Sequence, residues 1–126
     1  DMIQELEDWE AEQLADMEEI DQYIFFDIYQ DFTDSTAIYP PEKGLEYTAL
    51  GLASEAGEFA GKVKKAIRDK TYDTEAMIAE LGDVLWYVAR AAAELDVHLS
   101  DVAKDNVEKL KSRKERNVIS GEGDNR

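Results

Sequence analysis

The sequence has no cysteine, a single histidine, two prolines and seven glycines among its 126 residues. Without cysteine, the chain can form no disulfide bond, thiolate metal site or cysteine nucleophile, so we expect a reducing compartment, the cytoplasm. No apolar stretch approaches the about 20 residues that span a bilayer, and the first residues lack the basic and apolar parts of a secretion signal. We therefore expect no association with a membrane.

Basic side chains are missing from the first third of the chain. Residues 1–42 hold 14 acidic side chains and no lysine or arginine, whereas residues 43–126 hold 16 acidic and 14 basic ones. The net charge of −16 is thus concentrated in residues 1–42. Because a surface of this sign repels DNA and RNA backbones, we expect no nucleic acid polymer as partner. A small phosphorylated ligand can still bind to such a protein if metal ions bridge its phosphates and the acidic side chains.

The scarcity of glycine and proline, together with abundant Ala, Glu, Leu and Lys, favours an all-α fold. No stretch alternates with period two for long enough to predict a strand. Apolar residues recur at helical spacing and predict a four-helix bundle preceded by an additional acidic helix. The four helices of the bundle are expected near residues 24–38, 45–68, 75–95 and 101–116.

A chain of this length has room for one compact domain. We expect an acidic N-terminal helical extension over residues 1–22, the helical bundle domain over residues 23–116, and a tail over residues 117–126. Thr74 and Ser100 are the expected N-caps of the last two helices.

Two pairs of acidic residues carry the clearest chemical signal, and each pair is three positions apart, on one helix face. They are Glu55 with Glu58, and Glu80 with Asp83. On neighbouring helices their charges would converge, and each close pair at ~4 Å repels by roughly 4 kcal/mol at an effective dielectric of ~20. Such a cluster must protonate or bind cations, and Mg²⁺ or Mn²⁺ suits its oxygen ligands. Gly57 and Gly82, which are costly within helices, predict close backbone approach at both motifs.

Hydrogen-bond donors and cations follow the acidic pairs at helical spacing. Seven and ten residues after the first glutamate of each pair lie Lys62 and Lys65, and Tyr87 and Arg90. The last predicted helix adds a stripe of Asn106, Lys109 and Arg113. This arrangement suits a substrate with a metal-bound polyphosphate at one end. The lysines equally complement the negative end of a helix dipole, and we keep that alternative.

Other kinds of site lack their residues. The glycine patterns of P-loop and Rossmann proteins are absent. A di-iron carboxylate bundle needs Glu-x-x-His on two helices. The sequence has one histidine, His98, and no glutamate stands three positions from it. We expect His98 to be a loop residue without a catalytic task. Trp86 is expected in the core or an interface, with stacking on a nucleobase as the alternative.

Three segments resemble the MazG-like nucleoside triphosphate pyrophosphohydrolases, and phage-encoded members in particular. They are Tyr47–Glu58, Val63–Asp69 and Glu80–Tyr87, and the segment Gly121–Arg126 is similar to an ending seen in that group. The likeness covers residues 29–126. It implies an all-α bundle that works as a homo-oligomer, a dimer or a tetramer, and for a phage protein the host cytoplasm.

The resemblance implies Mg²⁺-dependent hydrolysis of a nucleoside triphosphate between its α- and β-phosphates, with Mn²⁺ as a substitute. A deoxynucleotide such as dGTP or dCTP is the expected substrate. The family's metal-binding carboxylates fall on Glu55, Glu58, Glu80 and Asp83. Many members open the first motif with two adjacent glutamates, and Ser54 stands in place of the earlier one here. This departure leaves open which carboxylate orients the attacking water; our choice is Glu55, and Glu58 is the second catalytic candidate.

The remaining candidate residues are expected to contact the substrate. The negative charge on the departing pyrophosphate is expected to be neutralised by four cations, Lys62, Lys65, Lys109 and Arg113. Tyr87 and Asn106 are expected to contact sugar or phosphate, and the tail with Arg126 to fold over the polyphosphate as a lid. The alternative is a non-catalytic helical interaction module whose acidic N-terminal helix binds a basic partner.

Overall fold

The computed structural model describes residues 1–16 and 22–126, and within them the chain is all α with no strand. The predicted fold class is therefore confirmed. The helices are α1 (Met2–Asp16), α2 (Ile24–Asp34), α3 (Gly44–Asp69), α4 (Thr74–Glu94) and α5 (Leu99–Glu115), and a 3₁₀ turn covers Pro41–Lys43. The expected continuation of the acidic helix to residue 22 falls largely on residues 17–21, outside the described residues. In the described ranges, no helix combines the length and apolarity that crossing a membrane requires.

Helix α2 ends at Asp34, earlier than the predicted residue 38. The hydroxyls of Thr33, Ser35 and Thr36 each donate a hydrogen bond to the backbone carbonyl three residues before, at 2.6, 2.6 and 3.0 Å. Side-chain hydroxyls that bond the local backbone in this way compete with helix propagation. The apolar spacing alone did not contain this signal.

Neither predicted N-cap is correct. The cap of α4 is Asp73 rather than Thr74, because the Asp73 carboxylate accepts a hydrogen bond from a backbone N–H three residues on, at 3.0 Å. Helix α5 begins at Leu99, so Ser100 lies within its first turn. The N–H and the hydroxyl of Ser100 instead donate to the carboxylate of Asp27, at 3.0 and 2.7 Å.

The described residues form two compact units. The α3–α4 unit comprises Tyr29–Leu99, and the α5 unit comprises Asp1–Ile28 together with Ser100–Arg126. The domain boundaries expected at residues 22 and 116 stay a prediction.

In the α3–α4 unit, the two long helices pack against each other in antiparallel orientation. The start of α3 lies beside the end of α4, since a Cβ placed on Gly44 would meet the Glu94 carboxyl and one on Gly51 would meet the Tyr87 ring. Close approach therefore occurs at these two glycines. At Gly57 and Gly82, where the sequence predicted it, an added Cβ would meet nothing within 4 Å.

A polar network fixes α2 to α4 within the same unit. The buried Gln30 amide donates to the carbonyls of Ala89 and Val97 at 3.3 and 3.1 Å and accepts from the N–H of Leu99 at 2.9 Å. All of its hydrogen-bonding groups are thereby used, as burial of an amide requires. This network holds the inner face of α4 in a fixed orientation.

The interior of the chain is small and partly polar. Among the described residues, the buried apolar side chains are Ala66, Ala89, Ala92 and Leu99, while Thr33 and Thr48 are fully buried. Large apolar side chains on α3 and α4 remain exposed, including Leu50, Ile67, Ile78 and Leu81. A single chain therefore leaves an extensive apolar surface uncovered.

Candidate metal centre

Three carboxylates from two helices converge in the α3–α4 unit. Glu55 on α3 and Glu80 and Asp83 on α4 each place one oxygen within 4.8 Å of the other two. Glu55 and Glu80 are half-buried, and Asp83 is exposed. We call these three residues the carboxylate trio. The fourth predicted ligand, Glu58, is exposed and lies outside the trio.

The antiparallel register of α3 and α4 explains this convergence. Glu55 follows the contact glycine Gly51 by one helical turn, and Asp83 precedes its contact partner Tyr87 by one turn. Residues one turn apart share a helix face, so the packing at Gly51 also brings the acidic residues face to face. Glu58 is rotated further round α3, toward solvent.

One member of the trio, Glu55, has a perturbed pKa. The pKa of Glu55 is raised above its ordinary value of 4.5, first by burial and next by a hydrogen bond with Glu80. The charges of Glu58, Asp83 and Glu80 raise it further, so Glu58 lies near enough to act on Glu55. Each of these causes disfavours the ionised carboxylate when no counter-charge is present.

Two further observations show that the trio fits a cation. Glu80 Oε2 is buried and has no hydrogen-bond partner in the part of the chain that the structure describes. The Nζ of Lys62 lies 3.6 Å from Glu80 Oε1, so one carboxylate of the trio already pairs with a cation. Buried oxygens without partners are costly, and a hard divalent cation satisfies several carboxylate oxygens at once.

An aromatic wall adjoins the trio. Glu55, Asp83, Trp86 and Tyr87 line a cavity of about 290 Å³. The indole of Trp86 lies edge-on to the Tyr87 ring, with centroids 4.9 Å apart, and its N–H donates to the Thr36 hydroxyl at 2.8 Å. Trp86 is half-buried, so it lines the cavity as well as packing inside the unit.

Two tyrosines that sequence reasoning missed support this wall. Tyr39 stacks on Tyr47 with centroids 5.1 Å apart and meets Trp86 edge-on at 6.4 Å. Burial raises the pKa of the Tyr87 phenol, and the neighbouring Tyr47 and the carboxylates Glu55 and Asp83 raise it further. Tyr47, Gly51 and Glu55 recur every four residues, a spacing that signals Tyr47 on the trio's face of α3.

A cavity of about 260 Å³, lined by two lysines and two aspartates among others, shares Lys62 with the trio's surroundings. Its lining residues are Lys62, Lys65, Ala66, Asp69, Thr71, Asp73, Ala76 and Met77. Two of the three lysines that the sequence assigned to phosphate therefore line one recess, and Lys62 also contacts Glu80.

Arg90 and His98 lie elsewhere in the α3–α4 unit. The buried Arg90 donates to the Thr33 hydroxyl at 3.2 Å and to the Asp34 carboxylate at 3.1 Å, so it holds α2 rather than extending the trio's face. His98 lies in the loop before α5, as expected, beside a cavity of about 430 Å³.

The other predicted substrate contacts belong to the α5 unit. Lys109 and Arg113 both contact the carboxylate of Asp124, at 2.8 and 3.0 Å. Asn106 is exposed, and Arg126 donates to backbone carbonyls of the tail. The roles of these four residues at the substrate stay predictions.

Comparison with known proteins identifies relatives of the chain. A family model described as the MazG nucleotide pyrophosphohydrolase domain matches residues 43–118. The Gene 37 protein of Mycobacterium phage L5 is 51% identical over 111 residues, which cover 79% of this chain and 97% of that protein. No solved structure matches the chain at a significant level.

Proposed function

Because the chain belongs to the MazG nucleotide pyrophosphohydrolase family, we propose that it hydrolyses nucleoside triphosphates between the α- and β-phosphates. The products are a nucleoside monophosphate and pyrophosphate. The proposed cofactor is Mg²⁺, with Mn²⁺ as a substitute, and the proposed substrate is a deoxynucleotide such as dGTP or dCTP. Because a relative of the chain is a phage protein, we propose that the reaction takes place in the cytoplasm of a host cell.

The observation that carries this proposal is the carboxylate trio with its unpartnered oxygen. Glu55, Glu80 and Asp83 offer three oxygens within 4.8 Å of one another, and Glu58 adds charge at the rim. Bound divalent cations supply charge neutralisation of the polyphosphate and lower the pKa of the attacking water. Oxygen ligands that leave several positions to water and phosphate are typical of Mg²⁺ sites.

The glutamates of α3 act on the water. Glu55 is half-buried and lines the cavity beside Asp83, so its carboxylate lies next to the space that a substrate would occupy. It orients the attacking water and accepts its proton, while Glu58 completes the ligand set. Ser54, which precedes Glu55, cannot take this task because a neutral hydroxyl is a far weaker base.

Cationic side chains are proposed to stabilise the charge that develops on the leaving pyrophosphate. Lys62 and Lys65 line the adjoining recess, and Lys109, Arg113 and Arg126 are proposed to add to them. Tyr87 and Asn106 contact sugar or phosphate. In phosphoryl transfer, such positioning and electrostatic stabilisation carry most of the catalysis.

We also propose that the chain works as a homo-oligomer, a dimer or a tetramer. The support is the apolar surface of α3 and α4, on which Leu50 is 72% and Ile67 65% exposed. A second copy that covered these side chains would bury them. Sedimentation velocity of the purified chain measures the oligomeric state directly.

Two substitutions in the trio test the activity. Glu80→Gln and Asp83→Asn keep shape but remove charge, and each should abolish Mg²⁺-dependent pyrophosphate release while helical circular dichroism is retained. Glu75→Gln is the matched control, since Glu75 is an exposed residue in the first turn of the same helix. The screen covers all common nucleoside and deoxynucleoside triphosphates. Full activity in both trio variants would remove the proposed site.

The second candidate is a non-catalytic interaction module. It is favoured by α1, whose acidic side chains are exposed over residues 1–13 and therefore accessible to a basic partner. Calorimetric titration with Mg²⁺ and a nonhydrolysable nucleotide separates the candidates. The hydrolase predicts heat of binding that Glu80→Gln removes, and the module predicts none.

A further inference from the structure

Two cations on α5 contact the same acidic residue of the tail, and a further hydrogen bond joins Arg116 Nη2 to the Arg126 carbonyl oxygen at 2.9 Å. Lys109 Nζ and Arg113 Nη2 contact the same oxygen of Asp124, Oδ1, at 2.8 and 3.0 Å. Arg113 Nη2 also donates to the backbone carbonyl of Asp124 at 2.6 Å. Lys109 and Arg113 are four residues apart and so share one face of α5. The two cations on α5 that the sequence assigned to phosphate are thus engaged by an internal carboxylate.

The segment that presents Asp124 has a defined fold. The Arg126 guanidinium donates to the carbonyls of Val118, Ile119 and Gly123, at 3.1, 2.8 and 2.5 Å. Gly121 and Gly123 have φ angles of 136° and 80°, a region that favours glycine. The tail is therefore a closed loop, and its two glycines give the backbone freedom to change conformation on either side of Glu122.

Arg113 is only partly satisfied by this contact. Its side chain is 7% exposed, and its Nε is buried with no hydrogen-bond partner among the described residues. A guanidinium presents Nε–H and Nη–H as a fork that matches two oxygens of one anion. Asp124 engages Nη2 alone. A phosphate group, with three oxygens, has the geometry to engage both arms of the fork.

Asp124 itself is easily released. Its side chain is 74% exposed, so water solvates the carboxylate fully once the contact opens. Hydrogen bonds from Lys109 and Arg113 lower its pKa, so it is an anion at neutral pH. Asp124 presents a single charge through one oxygen, so it is a weaker ligand for these cations than a multiply charged phosphate with several oxygens.

We propose that Asp124 is an internal substitute for a phosphate group, and that a phosphorylated ligand reaches Lys109 and Arg113 by displacing the loop of residues 118–126. The inference rests on the proposed function, which assigns this cation pair to the substrate's pyrophosphate. The loop is then an intramolecular competitor. The apparent affinity for a phosphorylated ligand equals the affinity of the open form multiplied by the fraction of molecules in which the loop is open. Ligands with more phosphate charge displace it more readily.

Binding of inorganic pyrophosphate to the full chain tests this contact without turnover. Asp124→Asn removes the competing charge and should tighten the calorimetric Kd for pyrophosphate in Mg²⁺ by about fivefold, the lower range of coupling between sites. Glu122→Gln is the matched control, because it removes the same charge from an exposed position of the same loop. Its Kd should equal that of the wild type. Adding Lys109→Met to Asp124→Asn should cancel the gain.

Hydrogen exchange provides a second readout that a merely structural contact would not move. Saturating pyrophosphate should accelerate exchange of the backbone amides of residues 118–126 in the wild type. An unchanged or weaker Kd for Asp124→Asn, or slower exchange in the loop, would overturn the inference. Tighter binding by Asp124→Asn in a chain that hydrolyses no nucleotide would support the inference and refute the hydrolase. Intact hydrolysis with an unchanged Kd would do the reverse.

Discussion

Replacing Gly51 by alanine should damage the wall of the candidate metal centre. A Cβ at this position would overlap with atoms of the Tyr87 ring, and Tyr87 lines the cavity beside Glu55 and Asp83. The ring must move by about 1 Å or more, since carbon atoms in contact are separated by about 3.5–4.0 Å. Its neighbour Trp86, with ring centroids 4.9 Å away, restricts where it can go. The substitution therefore shifts a cavity wall without touching a carboxylate.

The expected magnitudes follow from two opposing effects. Overpacking costs about 1–3 kcal/mol, and alanine in place of glycine within a helix recovers about 1 kcal/mol. The net loss in the free energy of unfolding is about 0–2 kcal/mol, which lowers the Tm of a chain this size by up to about 8 °C. Activity should suffer more than stability, because a 1 Å displacement at a reaction site costs about 100-fold in kcat/KM.

Gly61→Ala is the matched control on the same helix, because an added Cβ there would meet nothing within 4 Å. It should raise the Tm by up to about 4 °C, corresponding to about 1 kcal/mol. Thermal unfolding followed by circular dichroism and pyrophosphate release measure both variants. In addition, Tyr87→Ala should remove most of the destabilisation caused by Gly51→Ala, because the two residues interact directly. Equal increases in Tm for both alanine variants, with full activity in each, would show that the Tyr87 ring does not lie against Gly51.

Three further predictions concern charge and the N-terminal extension. Burial and the hydrogen bond with Glu80 hold the pKa of Glu55 above 4.5, so the folded chain retains a proton that the unfolded chain has lost. The Tm of the metal-free protein should therefore fall as the pH rises above about 4.5. A Tm that does not change with pH in this range would contradict the prediction. Saturating Mg²⁺ should remove that slope and stabilise the fold by about 2.7 kcal/mol at 100 times Kd, whereas Glu80→Gln should show no such gain in Tm scans. A chain beginning at Tyr23 should keep its Mg²⁺-dependent hydrolysis, because the family match begins at residue 43; loss of kcat in the folded shorter chain would implicate residues 1–22.

The convergence of Glu55, Glu80 and Asp83 follows from features that a sequence contains. Three-residue spacing predicts a shared helix face, and a short loop predicts that consecutive helices pack antiparallel. The same reasoning could not separate Glu58 from the other three, because its exposure depends on the rotation of α3 about its axis. Packing at Gly44 and Gly51 determines that rotation, and glycines carry no apolar signal. Arg90 deviates for a related reason: ten residues after Glu80, its side chain points to α2.

Residues brought in from irregular segments could not be predicted by periodicity. Thr36 and Tyr39 follow the end of α2, where no repeat relates them to Trp86, yet one accepts its indole N–H and the other packs on its ring. Asp124 likewise lies in a loop shaped by glycines with positive φ angles. Charge alone does not identify which acidic residue pairs with a given basic residue, because the chain has 30 acidic side chains and 14 basic ones. The conformation of the loop places Asp124 against Arg113. The proposed competition between the tail and phosphate depends on this contact.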